Sequence, residues 1–266
     1  MIPELINRSR KIVIKIGSNT LADTEGRINA AFLAEFAAQT AEFVKTGKQI
    51  VLVSSGARIA GVSALGKWAR KQDIHYKQAL CAVGQVELMG AWHRAFAPLG
   101  LHIGQILLTR DDFGDSIRTL NMRNTLFTLA DEGIVPIINE NDTVGVEEIK
   151  IGDNDTLAAQ SAVLWSADLL ILFSDIDGLY EKNPKTHPDA ELIREVRDVA
   201  AARRGVETGG ANSFGTGGIG TKLDAAARAV SYGIPMILAH GGRPRALESL
   251  AAGTAPGTAF LASGTA

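Results

Sequence analysis

Six short, mostly apolar runs, each with at least one β-branched residue, punctuate the chain, at positions 11–16, 49–53, 102–108, 134–138, 169–173 and 235–239. Each has the length of a strand, and the first five are followed directly by glycine, asparagine or a hydroxyl residue, so the pattern predicts six strands. Longer helical patterns lie between them. Ile28, Phe32, Phe36, Thr40, Phe43 and Val44 recur three or four positions apart, giving a helix with one apolar face, and Gly47 stands where it should end. The stretches 79–96, 157–164 and 221–231 also read as helices. Strands that alternate with helices run parallel, because only a crossover joins parallel neighbours. The expected fold is α/β, a doubly wound αβα sandwich around a mostly parallel sheet.

Polar residues and glycines collect just after the strands: Lys15 to Ser18, Ser54-Ser55-Gly56, Thr109-Arg110-Asp111, Asn139 to Asp142, and Ser174-Asp175. Ligands of open α/β sheets bind beyond the carboxyl ends of the strands, so these clusters outline one site. Turn chemistry accounts for the glycines and asparagines, but it does not call for a lysine or a serine pair. The segment 175–220 has no long apolar period and is expected to be loop-rich, forming a second lobe or lid.

Composition narrows the functional classes. The chain has 266 residues, 46% hydrophobic and 21% charged, enough for one large or two small domains with a full core. Its 27 basic and 29 acidic side chains give a net charge of −2, which offers no general attraction to nucleic acid or an acidic membrane. Cys81 is the single cysteine, so neither an intrachain disulfide nor a thiolate zinc cluster is available. No apolar run approaches the roughly 20 residues of a membrane helix, and no export signal is read at the amino terminus. A cytoplasmic location is expected.

Gly215-Thr216-Gly217-Gly218-Ile219-Gly220 has dinucleotide-type glycine spacing, yet it follows a loop rather than a strand. It leads into a helical run with Lys222 in its first turn. That fits either an anion-binding nest or a flexible linker. Walker, zinc-protease and nucleophile-elbow sequences are absent from the chain. Lys15 interrupts a buried-looking strand, where its charge must be solvated or paired, and a bound phosphate would supply the partner. Asp153 or Asn154 could cap the helix that follows, but capping does not explain both Asp153 and Asp155. With Asn139, Glu140, Asn141 and Asp142, these acids and amides suit a substrate bearing an ammonium group. The spacing does not match an EF-hand calcium loop.

The segments Val13 to Ser18, Val53 to Ala57, Ile138 to Asp142, Gly152 to Asp155 and Gly215 to Lys222, in this order and spacing, resemble the amino acid kinase family. Lys77 to Leu80, Ala82 to Gln85 and Gly104 to Thr109 are similar to its branch acting on free glutamate. The resemblance implies a carbamate-kinase-like fold and transfer of the ATP γ-phosphoryl group to the side-chain carboxylate of L-glutamate. It implies that Lys15 and Lys222 flank the transferred group and that Asp155 holds both ammonium groups. Ser55, Asp142 and Asn154 would hold glutamate, with Gly56, Asn139 and Asp153 nearby. Lys15, Ser174, Asp175 and the run Thr216, Gly217, Gly218, Ile219, Gly220, Thr221 and Lys222 would hold ATP, with Mg²⁺ bridging its phosphates and no dedicated protein cage.

The resemblance further implies a substrate lobe over 1–170, a nucleotide lobe over 171–266, a homo-oligomer (dimer or tetramer) and feedback inhibition by proline. A carboxyl-terminal PUA domain is not expected. Asn19 and Arg58 depart from the family pattern. The rival readings are a kinase of the same fold acting on N-acetylglutamate or aspartate, and a nucleotide-binding regulator without turnover.

Overall fold

Side chains alternate across a strand, and in β1 (Lys11–Ile16) that alternation decides where the one internal lysine goes. Ile12, Ile14 and Ile16 face one core layer, whereas Val13 faces the other. Lys15 therefore shares a face with Val13. The structure, a computed structural model, describes residues 1–67, 69–70, 72–145, 154–184, 186–205 and 218–262.

Around β1 stand β2 (Gln49–Ser54), β3 (Ile103–Leu108), β4 (Val135–Glu140) and β5 (Leu169–Ser174). The short β6 (Leu179–Tyr180), β7 (Leu192–Ile193) and β8 (Glu195–Val196) follow, then β9 (Met236–His240) and β10 (Thr258–Phe260). Among the described residues one sheet has the order β3-β4-β2-β1-β5-β9-β10-β8, and β6 pairs with β7 separately. Six neighbouring strands from β3 to β9 run parallel, with Lys15 level with Val53 on one side and Leu172 on the other. Only β10 opposes its neighbour β9. The six predicted strands are all present; β1 has the expected bounds and no other bound moves by more than two residues.

The helices are α1 (Ile2–Arg8), α2 (Ser18–Leu21), α3 (Ala30–Lys45), α4 (Ala57–Leu65), α5 (Ile74–Phe96), α6 (Ser116–Asp131), α7 (Asp155–Trp165), α8 (Val199–Gly205), α9 (Ile219–Ser231) and α10 (Ala246–Ala251). One face of the sheet is covered by α1, α3, α5 and α10, through Phe36, Trp92, Phe96 and Leu247 among others. The other is covered by α6, α7 and α9, through Leu126, Ala158, Trp165, Leu223 and Ala226. Phe36 stands edge-on to both Trp92 and Phe173, at 6.3 and 6.1 Å between ring centres, an arrangement favoured by the ring quadrupoles.

The closest helix contact joins α4 to α5 and depends on two glycines. A Cβ on Gly84 would fall 1.7 Å from the Ala57 carbonyl oxygen, and one on Gly61 would fall 1.9 Å from that of Leu80. Only backbones without side chains at these points can approach so near. Among the described residues, no helix is long and apolar enough to cross a membrane. The expected loop-rich character of 175–220 holds for residues 175–205, which contain α8 and three two-residue strands.

Candidate functional site

Five strand ends lie side by side at one edge, those of β3, β4, β2, β1 and β5, and the five polar clusters sit just beyond them. The chain leaves β1 toward β2 on one side and reaches β5 on the other, so Lys15 stands where the two directions diverge.

Because Lys15 shares a face with Val13, it points toward α7 and α9. Its Nζ lies 2.6 Å from Asp155 Oδ1, and Lys222 Nζ lies 3.0 Å from Asp155 Oδ2. Asp155 is fully buried and both lysine side chains are 7% exposed. Thr221 Oγ1 also donates to Asp155 Oδ2, at 3.3 Å. Helix dipoles explain half of this trio. Asp155 opens α7, where a negative charge is favourable, but Lys222 lies in the first turn of α9, where a positive charge is not. Lys222 is thus placed against the dipole, and Asp155 offsets that cost. The counter-charge expected from a bound phosphate at Lys15 is supplied within the protein by this carboxylate. Two ammonium groups against one carboxylate leave the trio with a charge of +1, at the sheet edge.

Beside the trio lies a network of amides. Asn154 stands at the N-cap position of α7, yet its side chain makes no capping hydrogen bond. Its Nδ2 instead donates to Ser54 O at 2.9 Å, Ser55 Oγ at 3.1 Å and Asn139 Oδ1 at 2.8 Å. Asn154 Oδ1 is buried without a hydrogen-bond partner among the described residues. Asn139 Nδ2 donates to Gln85 Oε1 at 2.8 Å. The capping role weighed for Asn154 is therefore not what its side chain does. Gly56 adopts φ +100°, a left-handed conformation that turns the chain from Ser55 into α4.

Asp142, just past β4, is also buried. Burial pushes its carboxyl up to about 6, opposed by a hydrogen bond from the Cys81 thiol and by the positive charge of Arg58. Arg58, noted only as a departure, thus acts on a predicted substrate residue, whereas Asn19 is exposed in α2. Cys81 and Gln85 have no assigned role in the sequence reading. Their signal was available: polar residues at helical spacing on a face of α5 that is otherwise core.

On the other side of β1, Ser174 ends β5 and its Oγ donates to Asp175 Oδ1 at 3.2 Å. Gly218 precedes α9, and Ile219, Gly220, Thr221 and Lys222 form its first turn. Asp153, Thr216 and Gly217 lie outside the described residues. The structure brings Lys15, Asp155 and Lys222 into direct contact. It likewise joins Ser55, Asn139 and Asn154 and sets Asp142 and Gly56 at the same edge.

Residues 10–240 match the model of the amino acid kinase family. The chain is 62% identical over 262 residues to glutamate 5-kinase of Alkaliphilus metalliredigens (strain QYMF), covering 98% of this chain and 99% of that protein. It is 58% identical over 261 residues to glutamate 5-kinase of Alkaliphilus oremlandii (strain OhILAs), with the same coverage. Carbamate kinase from Giardia lamblia bound to AMP-PNP superposes with a TM-score of 0.66 at 14% identity, over 96% of this chain and 99% of that one. That last likeness carries the fold alone.

Proposed function

The chain belongs to the amino acid kinase family, and from that premise we propose that it catalyses the glutamate 5-kinase reaction, the first step of proline biosynthesis. ATP and L-glutamate give ADP and L-glutamyl 5-phosphate. A γ-carboxylate oxygen attacks the γ-phosphorus, a new C–O–P linkage forms, and the bond from phosphorus to the bridging oxygen of ADP breaks.

The single observation that carries this reading is the Lys15–Asp155–Lys222 trio. A glutamate side chain, with a reference pKa of about 4.3, is already an ionised nucleophile near neutrality, so no general base is needed. The obstacle is repulsion between a carboxylate and a polyanion. Phosphoryl transfer of this kind is promoted by positioning and by cations aimed at the transferring oxygens. Asp155 holds both ammonium groups in place, so they meet the developing charge without having to be gathered. MgATP is the nucleotide substrate in this reading, with Mg²⁺ carried on its phosphates.

Glutamate is assigned to the β4, β2 and α7 side, with Asp142 and Asn154 Oδ1 receiving the α-ammonium group and Ser55, Asn139, Gly56 and Asp153 surrounding it. ATP is assigned to Ser174, Asp175 and the segment from Thr216 to Lys222. Residues 1–170 then supply the substrate lobe and 171–266 the nucleotide lobe, both carried on one sheet. The reading includes a cytoplasmic homo-oligomer restrained by proline. Val83 and Val86, 38% and 72% exposed on α5, offer apolar surface for a second copy.

The test is to trap the acyl phosphate with hydroxylamine in the presence of MgATP. Hydroxamate formed from L-glutamate, in preference to N-acetylglutamate and aspartate, is the expected result. Preference for either rival, or absence of turnover on all three, defeats the assignment.

A further inference from the structure

One face of α5 reaches four residues on two segments of the substrate side, the end of β2 and the stretch 139–143. Gln78 Nε2 donates to Thr143 O at 3.3 Å, and the Cys81 thiol donates to Asp142. Gln85 Oε1 accepts from Asn139 Nδ2 at 2.8 Å, and Trp92 Nε1 donates to Ser54 Oγ at 3.1 Å. Positions 78, 81, 85 and 92 fall on one side of a helix, so α5 acts as a template against which these segments are set.

The contact at Gln85 has a consequence for orientation. The two ends of an asparagine amide are opposite in hydrogen-bonding sense, so whichever way Asn139 points, its neighbours must match. The backbone N–H of Glu140 donates to Asn139 Oδ1 at 3.0 Å, and Asn154 Nδ2 donates to that same oxygen at 2.8 Å. Asn139 Nδ2 then faces α5, where Gln85 Oε1 receives it. With the acceptor gone, this orientation would bury an unpaired donor. The reversed orientation would set donor against donor at both Glu140 N and Asn154 Nδ2. Asn154 is tied in turn, because its Nδ2 donates to the Ser54 carbonyl at 2.9 Å and a carbonyl can only accept. Its Oδ1 is consequently the end left buried and without a hydrogen-bond partner among the described residues.

We infer that Gln85 is a positioning residue: by accepting from Asn139 Nδ2 it completes, with the Glu140 N–H and the Ser54 carbonyl, the set of partners that holds the amides of Asn139 and Asn154 in one orientation, so that Asn154 Oδ1 is presented to the ammonium group of the amino-acid substrate. Gln85 acts through Asn139 and touches neither the substrate nor the phosphoryl group. This rests on the glutamate reading, and it extends that reading to a residue outside the substrate contacts.

Gln85→Met keeps the length of the side chain and removes the acceptor, whereas Gln85→Glu keeps an acceptor at the same place. In the hydroxylamine assay, Gln85→Met is expected to raise KM for glutamate by about tenfold, the scale of a buried polar partner lost. KM for ATP should stay within about twofold, and Gln85→Glu should bring KM for glutamate most of the way back. Independently of turnover, the side-chain amide NMR signals of Asn154 should shift in Gln85→Met and return toward their parent positions in Gln85→Glu. An unchanged KM for glutamate in Gln85→Met, equal losses in both variants and for both substrates, or Asn154 signals unmoved in Gln85→Met would each overturn the inference. A parent chain inactive on glutamate would instead defeat the substrate reading, and the Asn154 signals would still decide the role of Gln85.

Discussion

Asp155 is the member of the lysine trio whose removal leaves like charges facing each other in a buried space. Lys222→Ala keeps Asp155 paired with Lys15 at 2.6 Å, so the fold should survive. Turnover should drop on the order of 10²–10³, the scale of losing one preorganised donor to a transition-state anion. Asp155→Asn strands two ammonium groups and should cost about 3–5 kcal/mol of stability, the scale of breaking a buried ion pair. Urea unfolding of the two variants, beside their kcat, separates these effects. Equal stability loss in both would remove Asp155 from its place as the holder of the pair.

Asp142 carries a different prediction, because its proton matters to affinity and to stability in opposite senses. Burial raises its carboxyl from the ordinary 3.8 to about 6, so the folded protein binds that proton more tightly than the unfolded chain. The stabilisation is complete below about pH 4 and is lost as pH rises through about 6. An ionised Asp142 is what an ammonium group needs. We therefore expect kcat/KM for glutamate to fall about tenfold per unit below pH 6, with the ATP response flat over that range. Asp142→Asn should bind glutamate poorly at every pH and be no less stable than the parent at pH 8. A destabilised Asp142→Asn protein at pH 8 would show that the carboxylate is structural.

Among the elements, the α4–α5 pair joins the core to the substrate side. Ser55 and Gly56 lead directly into α4, and α5 carries Cys81 and Gln85, so the spacing of the two helices sets the width between these walls. Gly84→Ala would place a methyl 1.7 Å from Ala57 O and 2.3 Å from Gly61 N, both backbone atoms that cannot swing aside. The helices must part, at a cost of about 1–3 kcal/mol or more. A lowered Tm should accompany a KM for glutamate that rises more than KM for ATP, since Ser174 and α9 lie across β1 from this contact. Gly90→Ala in the same helix meets only the mobile end of Arg94, at 3.3 Å, and should be neutral or mildly stabilising. A Gly84→Ala protein as stable as Gly90→Ala would contradict the packing argument.

The same elements show what was legible beforehand. The six longer strands could be read because each is a strand-length apolar run closed by polar or turn-forming residues, and Lys15 stood out because a charge inside such a run demands a reason. Strands of two or three residues, such as β6 to β8 and β10, are too short to display a period and exist by virtue of their pairing partners. The expected contributors at the sheet edge could be named, but not their contacts. That Asp155 holds two lysines was implied by the family resemblance alone, and that Gln85 meets Asn139 depends on the face to which each side chain turns, which emerges only once the sheet is assembled. Cys81 was read as a bound on disulfide chemistry, and its hydrogen bond to Asp142 was not foreseen.

At the scale of the whole molecule, the two proposed lobes differ from the two mechanical layers. The division proposed near residue 170 assigns substrate residues to one side and nucleotide residues to the other, but β5, the strand that straddles it, pairs with β1, which also pairs with β2. Both core layers contain residues from either side of that division: Ile14 packs in one with Ile171 and Leu247, and Val13 in the other with Leu172 and Leu223. Neither lobe can leave without exposing the apolar face of the strand it shares with the other. Unfolding should therefore be one cooperative transition. The buried tryptophans provide a reporter in each layer, Trp92 in one and Trp165 in the other. In a Trp68→Phe/Trp165→Phe protein, fluorescence follows the first layer; in Trp68→Phe/Trp92→Phe it follows the second. Within each protein the fluorescence midpoint in urea should coincide with that from far-UV circular dichroism, even though the two proteins differ in stability. Saturating L-glutamate should move both probes together, because binding on the substrate side stabilises the common folded state. A fluorescence midpoint that departs from the dichroism midpoint in either protein, or a shift with glutamate confined to one layer, would mean that the lobes unfold separately and that the shared strands do not couple them.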